Sequence, residues 1–548
     1  MKKSIALILA LIMGLTLLAA CGNGTDAPQQ QAGAPPSAPS ESVSPGQQGH
    51  GGGHALEQAP PVAAETRYAE HLNINTDTNA IGTLNPFVPP ANNTSTNWAF
   101  IMIHDRLVFR EADGSYSPVL ATSWSTEDFQ TYTFKLREDV VFHNGDHFTA
   151  EDVAWTVEAA REGVGSAGHD QWRPVETVNI IDPYTIEFVL GTVNVDFLAN
   201  ISAPMSGIVN KRAMEEDPGL GSAVGTGAFY VTEFSPSNYV KFARNDDYWG
   251  ELPITKTMDF IFIPEIGTRA IMMQNGEIQI SFGIGAEEIF LFQEDTENFD
   301  VFPQVQGNPQ SLQFVYTCPI ASDYNFRMAI MHAVDRAEIA IVAAGDWATP
   351  ETGGTLWGRW TEYRNEDIPI IPYDLDLARE YLANSVYNGE SIEIAGGGTS
   401  NINAAEILKV QLARIGVDSW INGFDTPGFG VYAASPEYSA TIILSPVMTS
   451  LSASSLRTAF HPDAVSNRMR YNNPEITQMF VDAGTMTDDA ERRAQYMRIQ
   501  EIMAEDPPAI NLFWRLNGIV SAKGVGGVLI PHDHHRSDLR YAYMALDD

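Results

Sequence analysis

A short apolar run near the first residue indicates on which side of the cell membrane this chain folds. Residues 1–3 carry two lysines, residues 5–18 are almost entirely apolar, and the small Ala19 and Ala20 precede Cys21. This is the layout of a secretory signal peptide, which is removed from the mature protein. The run is also shorter than the ~20 apolar residues that a membrane-spanning helix needs. We therefore expect residues 1–20 to be removed and the rest of the chain to fold outside the cytoplasm.

The end of this run, Leu18-Ala19-Ala20-Cys21, resembles the lipobox of bacterial lipoproteins. In that family the cysteine becomes the new N-terminus and carries lipid, so the resemblance implies lipid attachment at Cys21. An ordinary signal peptide with a chance cysteine is the alternative. The chain has two cysteines, so lipidation leaves Cys318 as its only thiol. An intramolecular disulfide is then excluded despite the oxidising location.

The charge of the chain excludes one class of partner. The formal net charge is -37, and loss of Lys2 and Lys3 with the signal lowers it to -39. Such an acidic surface repels nucleic acid and anionic lipid. We expect no nucleic-acid partner and no electrostatic docking to a membrane.

A segment without aromatic residues separates the signal from the folded body. Residues 22–66 consist mainly of Gln, Pro, Gly, Ser and Ala. This composition cannot bury enough apolar surface to fold, so residues 21–66 are predicted to form a lipidated cysteine and a disordered tether.

Beyond the tether, strand-like and helix-like patterns alternate and predict mixed α/β layers. Residues 132–137 alternate apolar and polar side chains as a half-buried strand does, and Asn144-Gly145 marks a tight turn. The spacing of Thr149 and Asp152 predicts a capped helix start. Further helix starts are predicted at the acidic or amide positions Asp335, Asn403 and Asp488.

Four separated stretches resemble one protein family. They are residues 118–124 continuing through 132–137, 141–145 and 149–153; Gly225-Thr226-Gly227-Ala228-Phe229 with residues 244–250; Gly276-Glu277-Ile278; and residues 326–330 with Ala333-Val334-Asp335-Arg336. Their order is similar to that of the extracellular solute-binding proteins of family 5, which serve peptide, nickel and opine ABC importers. The resemblance covers roughly residues 72 to 543.

The resemblance implies an α/β, two-lobed periplasmic-binding-protein-like fold (class II type) with an extra α/β subdomain on the first lobe. The implied first lobe comprises residues 67–95, 222–310 and 515–548, the subdomain residues 96–221, and the second lobe residues 311–514. The solute would lie between the lobes, and closure over it would create the form that a permease recognises. No bond is made or broken, so neither enzymatic activity nor a cofactor is expected.

The implied partners follow from the same family. They are a small peptide or peptide-like solute, the transmembrane subunits of an ABC permease with its cytoplasmic ATPase, and the cell membrane through the lipid anchor. The protein itself is expected to be a monomer.

The resemblance also places candidate ligand contacts. Tyr316 is the first candidate, on a strand expected to enter the second lobe and line the cleft. The other candidates are Trp357, Trp360, Ser445, Thr449, Arg457, Trp514 and Arg515. A guanidinium group suits the two oxygens of a carboxylate. Core packing is the alternative for each aromatic residue, and a surface ion pair is the alternative for each arginine.

One departure from the family concerns the ligand. Peptide-binding members carry an aspartate for the peptide amino group at the place that residues 444–449 occupy. Residues 445–450 contain no acidic residue, and a buried ammonium without a partner carboxylate would be costly. Either another acid supplies the contact, or the ligand is not an ordinary free oligopeptide.

The segment His532-Asp533-His534-His535 raises a metal alternative. Imidazole and carboxylate groups suit zinc, nickel or copper. Adjacent residues of a strand point to opposite faces, however, so one ion rarely takes all of them. A solvent-exposed loop is the preferred interpretation, and no metal site is assigned. Binding of a nickel or other metal chelate therefore remains the alternative within the family.

Two other classes of function are open. An extracellular hydrolase would need a nucleophile with a base or a metal site, and the chain has no Gly-x-Ser-x-Gly elbow and no His-Glu-x-x-His pattern. No catalytic residue is assigned. A sensory lipoprotein would use the same fold without transport.

Overall fold

The computed structural model describes the chain from residue 67 to residue 546 with short gaps. The described residues are 67–76, 81–88, 94–111, 114–163, 166–284, 289–305, 309–359, 361–435, 437–447, 453, 456–462, 464, 466–528 and 538–546. The predicted signal peptide, Cys21 and the tether lie outside them. Within the described part of the chain, none of the helices combines the length and the apolar character of a membrane span.

The strands are short apart from one near the C-terminus. They are β1 Arg67–Tyr68, β2 His71–Asn75, β3 Val108–Arg110, β4 Tyr116–Pro118, β5 Ala121–Ser125, β6 Thr131–Leu136, β7 Val175–Asp182, β8 Thr185–Leu190, β9 Phe229–Ser235, β10 Tyr239–Arg244, β11 Thr257–Ile261, β12 Ile280–Ile284, β13 Phe299–Val305, β14 Gln310–Phe314, β15 Ala348–Pro350, β16 Ile392–Gly397, β17 Ser419–Phe424, β18 Ile442–Ser445, β19 Ala509–Ala522, β20 Val525–Gly526 and β21 Tyr543–Leu546.

The α-helices occur between the strands along the whole chain. They are α1 Thr94–Ile103, α2 Ala150–Glu162, α3 Ala167–Trp172, α4 Phe197–Ile201, α5 Lys211–Glu216, α6 Pro218–Gly221, α7 Ile266–Gln274, α8 Pro319–Ser322, α9 Tyr324–Ala333, α10 Arg336–Ala344, α11 Leu375–Ala383, α12 Thr399–Ala413, α13 Thr426–Ala434, α14 Leu456–Phe460, α15 Pro474–Ala483 and α16 Asp489–Glu505. Single turns of 3-10 helix lie at Pro204–Ser206 and Gly345–Trp347.

A single strand, β19, joins two sets of strands into one sheet. The path of strands runs β17-β16-β18-β14-β19-β12-β2-β11-β10-β9, with β13 and β15 also paired to β19. We call β2, β9 to β13 and the second half of β19 the first lobe. The second lobe consists of β14 to β18 and the first half of β19.

The crossing between the lobes can be located from the register. On the first-lobe side, Val305 of β13 lies opposite Leu516. On the second-lobe side, Gln310 of β14 lies opposite Phe513. The chain therefore crosses twice, once between residues 305 and 310 and once at residues 513–516.

Each lobe has its own apolar core. Leu72, Ile74 and Phe260 of the first-lobe sheet are fully or almost fully buried in one cluster. Leu312 and Ile394 belong to a separate cluster in the second lobe. The bridging strand contributes to both, because Ile519 packs in the first core and Leu512 in the second. Apolar burial thus fixes two bodies, while the backbone ladder of β19 connects them.

A second, smaller sheet forms the extra subdomain. Its four antiparallel strands run in the order β5-β6-β8-β7. Phe134, Phe188 and Trp172 are fully buried in its core, beside the apolar face of α2. Trp172 and Phe188 meet edge to face, with ring centroids 5.6 Å apart.

The predicted domain limits need correction at two places. The predicted start of the subdomain at residue 96 falls inside α1, whose Trp98 and Met102 pack in the first-lobe core. The predicted limit at residues 514 and 515 falls inside β19, which continues across it without interruption. Both limits were taken from the family resemblance, which does not show which core a helix of this chain joins.

Local helix signals were mostly predicted correctly. Thr149 and Asp152 form a reciprocal capping box at the start of α2. The carboxylates of Asp335 and Asp488 accept backbone N–H groups at the starts of α10 and α16. The predicted start at Asn403 is wrong, because α12 begins at Thr399, directly after Gly398 with its φ of +83°.

A buried ionic cluster fixes the C-terminal segment to the first lobe. Arg540 donates to Asp538 at 2.6 Å and to Asp105 at 3.4 Å. Asp105 also accepts from the Trp249 indole at 2.9 Å and from Thr226 at 3.1 Å. Burial has the largest effect on Asp105 and raises the pKa of its carboxyl group, while Arg540 acts in the opposite direction.

Replacing Arg540 by glutamine should destabilise the fold strongly, because two buried carboxyl groups lose their cation. We expect a loss of about 3 kcal/mol in the free energy of unfolding, measured by urea denaturation at neutral pH. The matched control is Arg212→Gln, since Arg212 pairs with Asp146 and Glu216 at the surface. That change should cost less than about 1 kcal/mol. Equal losses of unfolding free energy in the two variants would contradict a stabilising role of the buried Arg540 cluster.

Candidate functional site

Both lobes direct the carboxyl ends of their parallel strands toward the crossing. In the first lobe β2 runs parallel to β11 and β12, and Ile284, the last residue of β12, lies opposite Gly518. In the second lobe β16 runs parallel to β17 and β18, and Ser445, the last residue of β18, lies opposite Ser311. Open α/β sheets bind their ligands outside the carboxyl ends of their strands. The cleft between the two edges is therefore the candidate site.

Backbone and small polar groups form part of the second-lobe wall. At the last residue of β16 the chain passes so close to Phe429 that a Cβ at Gly397 would lie 2.6 Å from the Phe429 Cβ. Helix α12 then begins without a side-chain cap, so backbone N–H groups of its first turn are not capped by a side chain. Ser400 Oγ and Asn401 Oδ1 are buried and have no hydrogen-bond partner among the described residues. This end of the sheet therefore offers polar groups to a solute.

Two sets of hydrogen bonds extend this polar wall along the sheet. Gln313 donates to the backbone oxygen and the hydroxyl of Ser445 at 2.7 and 2.8 Å. The Ser311 hydroxyl donates to Asn511 at 2.7 Å, and Asn511 donates to the backbone oxygen of Thr355 at 3.1 Å. These side chains hold the ends of β14, β18 and β19 in one arrangement.

The loop of residues 351–366 carries an arginine placed over a tryptophan. The Cζ atom of Arg359 lies 4.9 Å from the ring centroid of Trp514. The Trp514 indole donates to Glu351 at 3.0 Å. Glu351 also accepts the backbone N–H groups of Thr352 and Gly353 at 2.8 and 2.7 Å. Trp514 and Glu351 are thus a fixed base under a half-buried guanidinium group.

The same loop contacts the subdomain of the first lobe. Arg110 of β3 forms an ion pair with Glu362, and their side chains are 13% and 35% exposed. A second pair joins Asp196, before α4, to Arg492 of α16 at 3.7 Å. These pairs connect the subdomain of the first lobe to the second lobe at places other than β19.

The structure corrects the prediction for Tyr316. The strand β14 starts at the crossing with Gln310 and leads away from it, so Tyr316 lies beyond the far end of the strand. Its ring packs against Arg327 and edge to face against Tyr471. Tyr316 is therefore part of the second-lobe interior rather than of the cleft.

The prediction for Trp357 is also corrected. Its indole is fully buried and stacks on Phe480, with ring centroids 6.2 Å apart. It has no surface to offer to a solute in this arrangement. Trp514 is fully buried as well, but it supports the half-buried Arg359 at the crossing.

The other candidates are distributed between the cleft, the surface and the undescribed residues. Ser445 ends β18 at the cleft and is buried, and Arg515 is half-buried on β19 at the crossing. Arg457 is exposed on α14. Trp360, Thr449, His532, His534 and His535 lie outside the described residues, as does Cys21.

Arg359, Glu351 and the pair of Arg110 with Glu362 were not predicted from the sequence. The only signal for Arg359 was its place between Trp357 and Trp360 in an aromatic loop. For metals, the described part of the chain holds no group of three His, Cys, Asp or Glu side chains able to bind an ion.

Comparison with known proteins gives a consistent result. A family model described as bacterial extracellular solute-binding proteins, family 5 Middle, matches residues 115–461. The nickel-binding periplasmic protein of Escherichia coli (strain K12) is 25% identical over 492 residues, which cover 82% of this chain and 90% of that protein. The glutathione-binding protein GsiB of Shigella dysenteriae is 25% identical over 460 residues, with coverage of 78% and 86%.

A solved structure shows the same fold. The ABC transporter substrate-binding protein CtaP from Listeria monocytogenes has a TM-score of 0.77 at 22% identity. The match covers 87% of this chain and all of that chain. The predicted two-lobed α/β fold is thereby confirmed.

The pair between Arg110 and Glu362 should help to hold the lobes closed. We expect Glu362→Gln to lower the ratio of closed to open molecules two- to five-fold, because a partly exposed ion pair contributes about 0.5–1 kcal/mol. Small-angle X-ray scattering without added ligand should give a larger radius of gyration for this variant. Glu366→Gln is the control, since Glu366 pairs with Arg364 within the same loop. Identical scattering from both variants would contradict this role.

Proposed function

This chain belongs to the bacterial extracellular solute-binding proteins, family 5, and we propose that its solute is a peptide or peptide-like compound. It is the substrate-binding component of an ABC importer and works outside the cytoplasm. The observation that carries the proposal is the cleft formed where the carboxyl ends of the parallel strands of the two lobes face each other across β19. The glutathione-binding relative supports a peptide-like solute, because glutathione is itself a tripeptide.

The physical basis of capture is differential affinity. A solute that contacts both edges binds the closed arrangement more tightly than the open one, and it shifts the population by that difference. Delivery then depends on the permease recognising the closed form. The family consists of binding proteins rather than enzymes, and we propose that this protein makes and breaks no bond in its solute.

We propose that the mature protein is a monomer that is anchored through a lipid on Cys21. The sequence Leu18-Ala19-Ala20-Cys21 supports the anchor, and the composition of residues 22–66 supports a flexible tether. A coil of ~45 residues has a root-mean-square span of roughly 35–40 Å. Such a tether lets the cleft reach solute and permease while the protein stays at the membrane.

The nickel-binding relative favours a second candidate ligand, a metal chelate. His532, His534 and His535 are the residues of this chain that suit it chemically. This candidate and the peptide differ in mass and composition, so one experiment separates them.

We expect a bound solute to be recovered from the purified protein that begins at Ala64. Native and denaturing mass spectra should differ by a mass that disappears on denaturation, and fragmentation of that species should give a peptide series. Addition of the recovered compound should raise the melting temperature, because a ligand that binds only the folded state stabilises it. A metal-containing species would instead support the chelate. Turnover of the recovered peptide would contradict a pure binding role.

Substitution of Cys21 should release the protein from the membrane. In a bacterial host that processes lipoproteins, the wild-type chain should incorporate labelled palmitate and sediment with membranes. The Cys21→Ser variant should lose the label and remain in the soluble fraction. Cys318→Ser is the matched control, because this half-buried thiol lies within the folded second lobe. Labelling of the Cys21 variant would contradict the anchor.

A further inference from the structure

We infer that Arg359 binds a carboxylate group of the solute, with Trp514 as its platform. This inference rests on the function proposed above and names the chemical group that the cleft recognises. It applies to the C-terminal carboxylate of a peptide and equally to an acidic side chain, since the two share the same chemistry.

The platform under Arg359 is rigid. Trp514 is fully buried, and its backbone pairs with Thr349 of β15. Its indole nitrogen donates to Glu351, which is itself 3% exposed. The carboxylate of Glu351 draws positive charge to the N–H edge of the indole and leaves the ring face richer in electrons. A cation over that face is therefore held more firmly.

Among the residues that the structure describes, Arg359 has no anionic partner. Across the described residues it forms neither an ion pair nor a side-chain hydrogen bond, although it is half-buried. The arginines around it differ, since Arg364 pairs with Glu351 and Glu366, and Arg110 pairs with Glu362. Arg359 therefore differs from both of these neighbouring arginines, although the chain supplies 69 acidic residues against 32 basic ones.

The position of Arg359 brings its guanidinium group to the solute. On one side its contact, Trp514, lies at the crossing between the lobes. On the other side Glu362, three residues further on, contacts Arg110 of the subdomain. Arg359 therefore lies between the hinge contact of Trp514 and the contact of Glu362 with the subdomain, which is where we expect the solute.

A guanidinium group held over an aromatic ring can still bind a carboxylate. A guanidinium group is planar, and its N–H groups point outward in that plane. When the face of the group lies on an aromatic ring, the N–H edge stays free to donate two parallel hydrogen bonds to one carboxylate. The Arg359 guanidinium group would not attract an ammonium group of the solute. The sequence from 445 to 450 likewise offers no acidic residue to such a group.

The test uses three pools of synthetic tetrapeptides and thermal unfolding of the full mature protein. The first pool lacks Asp and Glu and has free C-termini. The second has the same sequences with amidated C-termini, and the third is amidated but contains one Glu. The proteins are wild type, Arg359→Gln, Arg359→Lys and the control Arg379→Gln, whose exposed side chain pairs with Asp376 on α11.

We expect the first or the third pool to stabilise wild type and Arg379→Gln, and the second pool to have no effect. Stabilisation by the first pool identifies a terminal carboxylate, and stabilisation by the third identifies a side-chain carboxylate. Arg359→Gln should weaken binding roughly ten- to hundred-fold, as expected for loss of a charged hydrogen-bonding partner. Arg359→Lys should fall between, because it keeps the charge but loses the two-pronged contact.

Three results would overturn the inference. If the amidated pool without Glu stabilises wild type as much as the pools that carry a carboxylate do, no carboxylate is needed for binding. If Arg359→Gln has the melting temperature of wild type before peptide is added and binds the peptides unchanged, another residue binds the carboxylate. If no pool stabilises wild type, the proposed peptide function fails and the inference fails with it.

Discussion

The shared strand β19 is the constraint on which the rest of the structure depends. Its two halves are held by backbone ladders in different lobes, with Phe513 opposite Gln310 and Leu516 opposite Val305. Only Trp514 and Arg515 lie between those two registers, and β15 pairs with both of them on the other side. Bending between the lobes must therefore be absorbed within a few residues, at the same place where Trp514 supports the cleft wall.

The acidic character of the protein determines how the arginines in the cleft are interpreted. An acidic chain supplies carboxylates in excess, so most cations find a partner within the fold, as Arg492 does with Asp196 and Asp489. The ion pairs that connect the subdomain to the second lobe are partly exposed, and each contributes little to the free energy of lobe closure. They bias an equilibrium between open and closed forms without fixing it, which is what reversible capture of a solute requires.

Features that depend on residues close together in the chain were predicted correctly from the sequence. Features that depend on tertiary contacts were not. The capping residues Thr149 and Asp335 were identified correctly because a cap involves atoms only two or three residues apart. Tyr316 was misplaced because its distance from the hinge depends on the direction in which β14 leaves β19. Arg359 was missed because its contact with Trp514 joins residues far apart in the chain. The family resemblance supplied the fold and the cleft, but not which side chains face the solute.

One loop connects recognition to closure. Residues 351–366 carry Glu351, which holds the hinge tryptophan, then Arg359, and then Glu362, which contacts the other lobe. A carboxylate bound to Arg359 would restrain this loop at its middle while the loop is fixed at the hinge. In the proposed mode of binding, the solute and Arg110 contact the same loop three residues apart, so a solute that meets both lobes there favours the arrangement in which Glu362 contacts Arg110. In this proposal solute binding and lobe closure are coupled because both involve contacts of residues 351–366.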